Sequence, residues 1–146
     1  MKQGELISVK NGPLIGLLGQ PNTGKSTLFN ALTGARQHVG NWPGKTVEKK
    51  EGVFKYKGKA YTLLDLPGTY SLSANSEEEL VTRQNIIGND IDLVFALVDA
   101  SQLERSMFLL SEVVGIKQPV VVLLNMMDVA ESQGREIDER RLSELL

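Results

Sequence analysis

Among its 146 residues the sequence has no cysteine, one histidine and one tryptophan. Without cysteine it can form no disulfide, thiolate metal site or cysteine nucleophile, and a reducing compartment is compatible with that composition. Long apolar runs are missing as well. The longest, Leu93–Val98 and Val120–Leu124, reach about six residues, whereas a membrane-spanning helix needs about 20. Met1–Lys10 carries charges with no apolar stretch behind it, so it does not read as a secretory signal. An excess of either charge is lacking too: 16 Lys plus Arg face 18 Asp plus Glu, for a net charge of −2. No global basic excess asks for nucleic acid or an anionic membrane surface as a partner.

What is present fits one compact domain. Apolar residues make up 41% and charged residues 23%, with 14 Gly and 5 Pro, which excludes disorder, collagen-like repeats and a coiled coil. Four short apolar runs, Leu14–Leu18, Lys59–Asp65, Leu93–Val98 and Val120–Leu124, read as strands buried on both faces. Between them, Ser26–Thr33, Glu77–Gly88, Leu103–Ile116 and Ile137–Leu146 have helical spacing. The alternation predicts a doubly wound α/β fold with a mostly parallel sheet and helices on both sides. Val47–Tyr56, then Lys57-Gly58, then Lys59–Asp65 is a hairpin pattern, so one edge strand should run antiparallel. Residues 1–12 read as a polar lead-in, 13–146 as the domain, and Gly34–Lys45 as a long loop.

Gly19-Gln20-Pro21-Asn22-Thr23-Gly24-Lys25-Ser26 fits G-x-x-x-x-G-K-[ST] between a strand and a helix, the context this motif requires. Its glycines let successive backbone N–H groups turn inward on phosphate oxygens, and the helix directs its positive end at the same anion. Lys25 is expected along the β- and γ-phosphates, and the Ser26 hydroxyl on Mg²⁺. Asp65-Leu66-Pro67-Gly68 closes the second hairpin strand; a carboxylate there can hold Mg²⁺ through water, and Gly68 can bring an N–H to the γ-phosphate. Asn125-Met126-Met127-Asp128 follows the last strand, where open α/β sheets bind ligands. An Asp there accepts two hydrogen bonds from the ring N–H and exocyclic amine of guanine, a donor pair adenine lacks. Thr46, in the long loop 21 residues after Lys25, can close over Mg²⁺ and the γ-phosphate; an ordinary strand-entry threonine is the alternative. These motifs give a P-loop NTPase, with GTP or GDP as its nucleotide.

The order of motifs resembles a Ras-like small GTP-binding domain, and GQPNTGKSTLFNALTG is similar to the Era-like bacterial group. Val39–Gly52 (VGNWPGKTVEKKEG), Asp65–Leu72 (DLPGTYSL), Val98–Arg105 and Leu124–Gly134 (LNMMDVAESQG) narrow the resemblance to the cytoplasmic G domain of the ferrous iron transport protein B family, over residues 14–146. The resemblance implies a GTPase switch attached to the Fe²⁺-transporting membrane region of one parent protein in a prokaryotic inner membrane. Carried onto this chain, it places Gly19, Asn22, Thr23, Gly24, Lys25, Ser26, Thr27, Gly44, Thr46, Asp65 and Gly68 around the phosphates, and Asn125, Met126 and Asp128 at the base. Ser26, Thr46 and Asp65 would serve Mg²⁺. Asn22 would hold K⁺ together with carbonyls near Gly40–Trp42, the ion taking the place of an arginine finger. Thr69 stands where Ras-type enzymes have a water-orienting Gln, so hydrolysis should be slow and no catalytic base is assigned. Most small GTPases have Lys where Met126 stands; an aliphatic stem can still lie along the base. A homo-oligomer through the switch loops is among the partners implied, and nucleic acid is not.

Several residues have plainer readings. His38 is a solvated loop residue rather than an iron ligand, and Met126 and Met127 are packing residues rather than metal ligands. Trp42 either packs its loop or offers a contact surface. Lys49-Lys50-Glu51 is a solvated face of an edge strand. Small GTPases carry a further strand and helix after the guanine-reading motif, so the domain is expected to be incomplete at its C-terminal end. Two other functions share parts of the pattern. An Era-like GTPase of ribosome or RNA maturation would usually carry N-K-x-D and a basic appendage. A P-loop ATPase or small-molecule kinase would not need Asp128.

Overall fold

The computed structural model describes residues 12–88 and 90–146. All of the expected lead-in except Gly12 lies outside them. The elements in chain order are β1 (Leu14–Gly19), α1 (Lys25–Thr33), β2 (Gln37–Asn41), β3 (Glu48–Tyr56), β4 (Lys59–Asp65), α2 (Glu77–Ile87), β5 (Leu93–Asp99), a 3₁₀ turn (Ala100–Gln102), α3 (Leu103–Val113), β6 (Val120–Asn125), α4 (Met127–Ser132) and α5 (Glu139–Leu145). The strands form one sheet in the order β2-β3-β4-β1-β5-β6. β4, β1, β5 and β6 are parallel neighbours, while β3 runs against β2 and β4.

Period-two alternation along the central strands sorts the apolar side chains onto two faces. Ile15, Leu17, Leu63 and Leu97 point to one side, where Phe29 of α1 is fully buried among them. Leu18, Leu64, Val94, Ala96 and Val98 point to the other, against Ile86 of α2 and Leu109, Leu110 and Val113 of α3. Helices therefore cover both faces of the sheet, which is the three-layer α/β architecture that the sequence predicts. Phe29 has 0% exposure at the centre of the smaller cluster. Phe29→Ala is expected to cost about 3–5 kcal/mol of stability, read as a fall in urea midpoint; a shift below about 1 kcal/mol would mean the cluster collapses onto the gap.

The structure departs from the sequence reading at β2 and β3, at Glu51, at β6, and at α4, a short helix that the sequence reading did not place. Part of the Gly34–Lys45 loop is strand β2, whose residues pair antiparallel with Gly52 to Glu48. Its segment, QHVGN, is almost wholly exposed, so backbone pairing rather than side-chain burial makes it a strand. The antiparallel strand β3 is in consequence one position in from the edge. Glu51 is buried rather than solvated, opposite His38, and Lys49 lies 4.8 Å over the Trp42 ring. β6, expected to be buried on both faces, is half-buried, because β5 is its only partner among the described residues. His38 is exposed as expected, but on β2. Trp42 follows the packing alternative, half-buried against the larger core cluster.

Capping positions the helices near the site. Ser76 Oγ accepts the Glu79 N–H at 3.1 Å at the start of α2, the reciprocal spacing of a capping box. Asp138 caps α5 by accepting the Arg141 N–H at 3.0 Å. Arg135 ties the segment after α4 to Glu104 of α3 at 3.1 Å. Both side chains are exposed, so the pair adds little stability.

Candidate functional site

The carboxyl ends of β1, β4 and β6 deliver three loops to the same end of the sheet, because these strands run parallel. The β1–α1 loop forms a cleft of about 430 Å³ lined by Gln20, Pro21, Asn22, Gly24, Lys25, Ser26, Thr27 and Gly68. Six of these are residues the sequence reading assigned. Gln20 and Pro21 were not assigned, although they fill variable positions of the motif whose spacing already enclosed them.

The loop is held open by its own geometry. Thr23 is buried and its hydroxyl donates to the Gln20 carbonyl at 2.9 Å. Asn22 has φ 64° and Gly24 has φ 89°, left-handed conformations that turn the chain tightly before α1. Lys25 then begins the helix, so the cleft faces the helix end that favours anions. The Lys25 ammonium meets the Asp65 carboxylate and donates to the Leu66 carbonyl at 2.8 Å, with each side chain of the ion pair about 11% exposed. The two motifs are thus in contact, and a polyphosphate would compete with Asp65 for this lysine.

The Asn125–Asp128 segment is joined to the same loop. Asn125 Nδ2 donates to the Thr23 carbonyl at 2.8 Å across 102 residues of sequence. Met126, at φ 59°, starts the turn into α4, and its Cε lies 3.7 Å from where a Cβ on Gly24 would sit. The thioether stem therefore lies along the β1–α1 loop. Asp128 is exposed on the first turn of α4, with its carboxylate open to solvent.

The loop after Gly68 is tethered at several points. The Thr69 N–H donates to the Gly19 carbonyl at 3.2 Å. Thr82 donates to the Pro67 carbonyl at 3.2 Å, and the Leu72 N–H to Glu112 at 3.0 Å. Thr69 itself is 3% exposed and its hydroxyl has no partner. Its side chain belongs to the interior, so the chain has no side chain from this position in the cleft. Thr46 and Gly44 are exposed and lie outside the cleft lining; the Thr46 hydroxyl donates to Glu77 Oε2 at 3.2 Å.

The oxygen donors of Ser26 and Asp65 are the hard ligands Mg²⁺ prefers. Among the described residues no three His, Cys, Asp or Glu side chains gather as a metal site, and a Mg²⁺ held mainly by phosphate oxygens needs no such cluster. No helix among these residues is long and apolar enough to cross a membrane.

The family model described as ferrous iron transport protein B matches residues 14–146. The Fe(2+) transporter FeoB of Legionella pneumophila (strain Lens) is 49% identical over 134 residues, covering 89% of this chain and 18% of that protein. The chain thus spans less than a fifth of that relative's length. The crystal structure of the G domain of the T. maritima FeoB iron transporter superposes with a TM-score of 0.85 at 45% identity, covering 92% of this chain and 82% of that one. The cytosolic domain of the same transporter in its GMPPNP form gives a TM-score of 0.85 at 44% identity, covering 91% and 53%.

Proposed function

Because the chain belongs to the ferrous iron transport protein B family, we propose that it is a GTP-binding and GTP-hydrolysing switch that regulates ferrous iron transport by the membrane region of its parent protein. The observation that carries this reading is the Asn125–Thr23 hydrogen bond. It makes one rigid unit of the loop that suits phosphates and the motif that suits guanine. The GMPPNP form of the T. maritima relative supports the same ligand class.

In this reading the backbone of Gly19–Ser26 and the Lys25 ammonium hold the phosphates, with Thr27 at the rim. Lys25 leaves Asp65 for the β- and γ-oxygens. Asp65 would then be free to hold Mg²⁺ together with Ser26 and Thr46. The ion neutralises phosphate charge when it is bound. Asp128 accepts the two guanine donors, Asn125 fixes the height of the base above the phosphate loop, and the Met126 stem supports its face. The buried Thr69 offers no side chain to the attacking water, so backbone groups orient it and turnover is slow. Asn22 lines the cleft and would hold a K⁺, which would supply the charge of an arginine finger.

Turnover assays test this. Hydrolysis of GTP, with none of ATP, is expected, and K⁺ should raise the rate at least tenfold over Na⁺, since charge supplied to the transition state is worth about 10³ or more in related enzymes. Equal rates in the two salts would remove the K⁺ role and leave the GTPase. Iron uptake by vesicles carrying the full-length parent should depend on GTP; a GTP-independent rate would remove the regulatory reading. No observation favours the RNA-directed alternative, and the near balance of 16 basic against 18 acidic residues argues against it.

A further inference from the structure

Thr46 is a residue that the proposed function needs at the triphosphate, yet the structure gives its hydroxyl a different partner. It donates to Glu77 Oε2 at 3.2 Å, 31 residues away, and it is absent from the cleft lining. Glu77 is the first residue of α2. Its backbone position is set by the Ser76 cap, which accepts the Glu79 N–H at 3.1 Å. The same turn also grips the loop that follows Gly68: Glu79 accepts the Asn75 N–H at 3.1 Å and the Ser71 hydroxyl. Ser71 and Ser73 share a further hydrogen bond at 2.7 Å. One helical turn therefore holds both loops that a γ-phosphate would recruit.

From this we infer that Glu77 is a positioning residue that sets the preference between triphosphate and diphosphate by competing with the nucleotide for Thr46. The inference rests on the reading of Thr46 as a ligand of the triphosphate-bound Mg²⁺. Binding a triphosphate has to draw Thr46 off Glu77, so part of the nucleotide's differential affinity is spent on that exchange. A diphosphate makes no demand on Thr46 and bears no such cost. Glu77 has no place in the cleft, and both it and Thr46 are exposed, so a substitution at either leaves the fold intact.

The test measures affinity for a non-hydrolysable GTP analogue and for GDP, with Mg²⁺ present, in the wild type, Glu77→Ala, Thr46→Ala and the double variant. Trp42, the only tryptophan and four residues before Thr46, reports loop movement by its fluorescence. Glu77→Ala should tighten analogue binding about threefold to tenfold, the worth of one hydrogen bond, and leave GDP affinity unchanged. It should also shift the Trp42 emission of the ligand-free protein toward that of the analogue complex. In the Thr46→Ala background the Glu77 effect should vanish. An equal change for both nucleotides, or a Glu77 effect that survives Thr46→Ala, overturns the competition. If Thr46→Ala leaves analogue affinity unaltered, the Mg²⁺-ligand reading itself fails. If Thr46→Ala weakens the analogue while Glu77→Ala does nothing, only the competition fails.

Discussion

Asp128→Asn is expected to weaken GTP binding by a hundredfold to ten-thousandfold and to raise affinity for xanthosine triphosphate. The carboxylate is open to solvent at the start of α4, on the side where Asn125 joins the phosphate loop. Each hydrogen bond between a carboxylate and a base donor contributes about 1.5–3 kcal/mol. Losing one of them and opposing two donors in its place, at about 1–3 kcal/mol more, gives about 3–6 kcal/mol, or about 10²–10⁴ in affinity. Asparagine keeps one acceptor for the ring N–H but turns an amide donor toward the exocyclic amine of guanine, where two donors oppose each other. Xanthine carries a carbonyl at that position, which accepts the amide. Fluorescence titration with both nucleotides checks this. Equal losses for the two would mean Asp128 supports the loop without reading the base.

Gly24→Ala should reduce nucleotide affinity about a hundredfold and destabilise the fold by about 2–4 kcal/mol, through backbone strain, overpacking and a broken hydrogen bond together. Gly24 has φ 89°, and a Cβ built there falls 2.3 Å from Asn125 Nδ2. The asparagine would have to release the Thr23 carbonyl, or the loop would have to move. Either change separates the β1–α1 loop from the turn at Asn125–Met126. Gly58→Ala is the control: its φ is 78° but nothing lies within 4 Å of the added carbon. It should show strain of about 1–2 kcal/mol and unchanged affinity. Paired thermal melts and titrations separate the two effects; a Gly24→Ala protein that binds as tightly as wild type would show that the Asn125 link is dispensable.

The legible part of this protein was local. The G-x-x-x-x-G-K-[ST] spacing fixes a strand–loop–helix unit, and β1 and α1 fall where Leu14–Leu18 and Ser26–Thr33 put them. The Lys57-Gly58 turn gave the hairpin, and β3 and β4 pair across it as expected. Short unbroken apolar runs marked the parallel strands, because strands buried between two helical layers need no polar face.

β2 was illegible because its stability comes from pairing with β3, and its own sequence has no burial pattern to reveal it. The motifs, their order, the four helices with clear apolar spacing and the strands marked by apolar runs or a turn were determined by the sequence alone, since each has a local signature; β2 and the short helix α4 have none. Tertiary structure decided the rest. It tied Asn125 to Thr23, paired Lys25 with Asp65, turned the Thr69 side chain inward and gave Thr46 to Glu77. The partners in the three side-chain contacts lie 31 to 102 residues apart. No spacing rule reaches that far; such contacts exist because the carboxyl ends of the parallel strands and the start of antiparallel β3 lie at one end of a shared sheet.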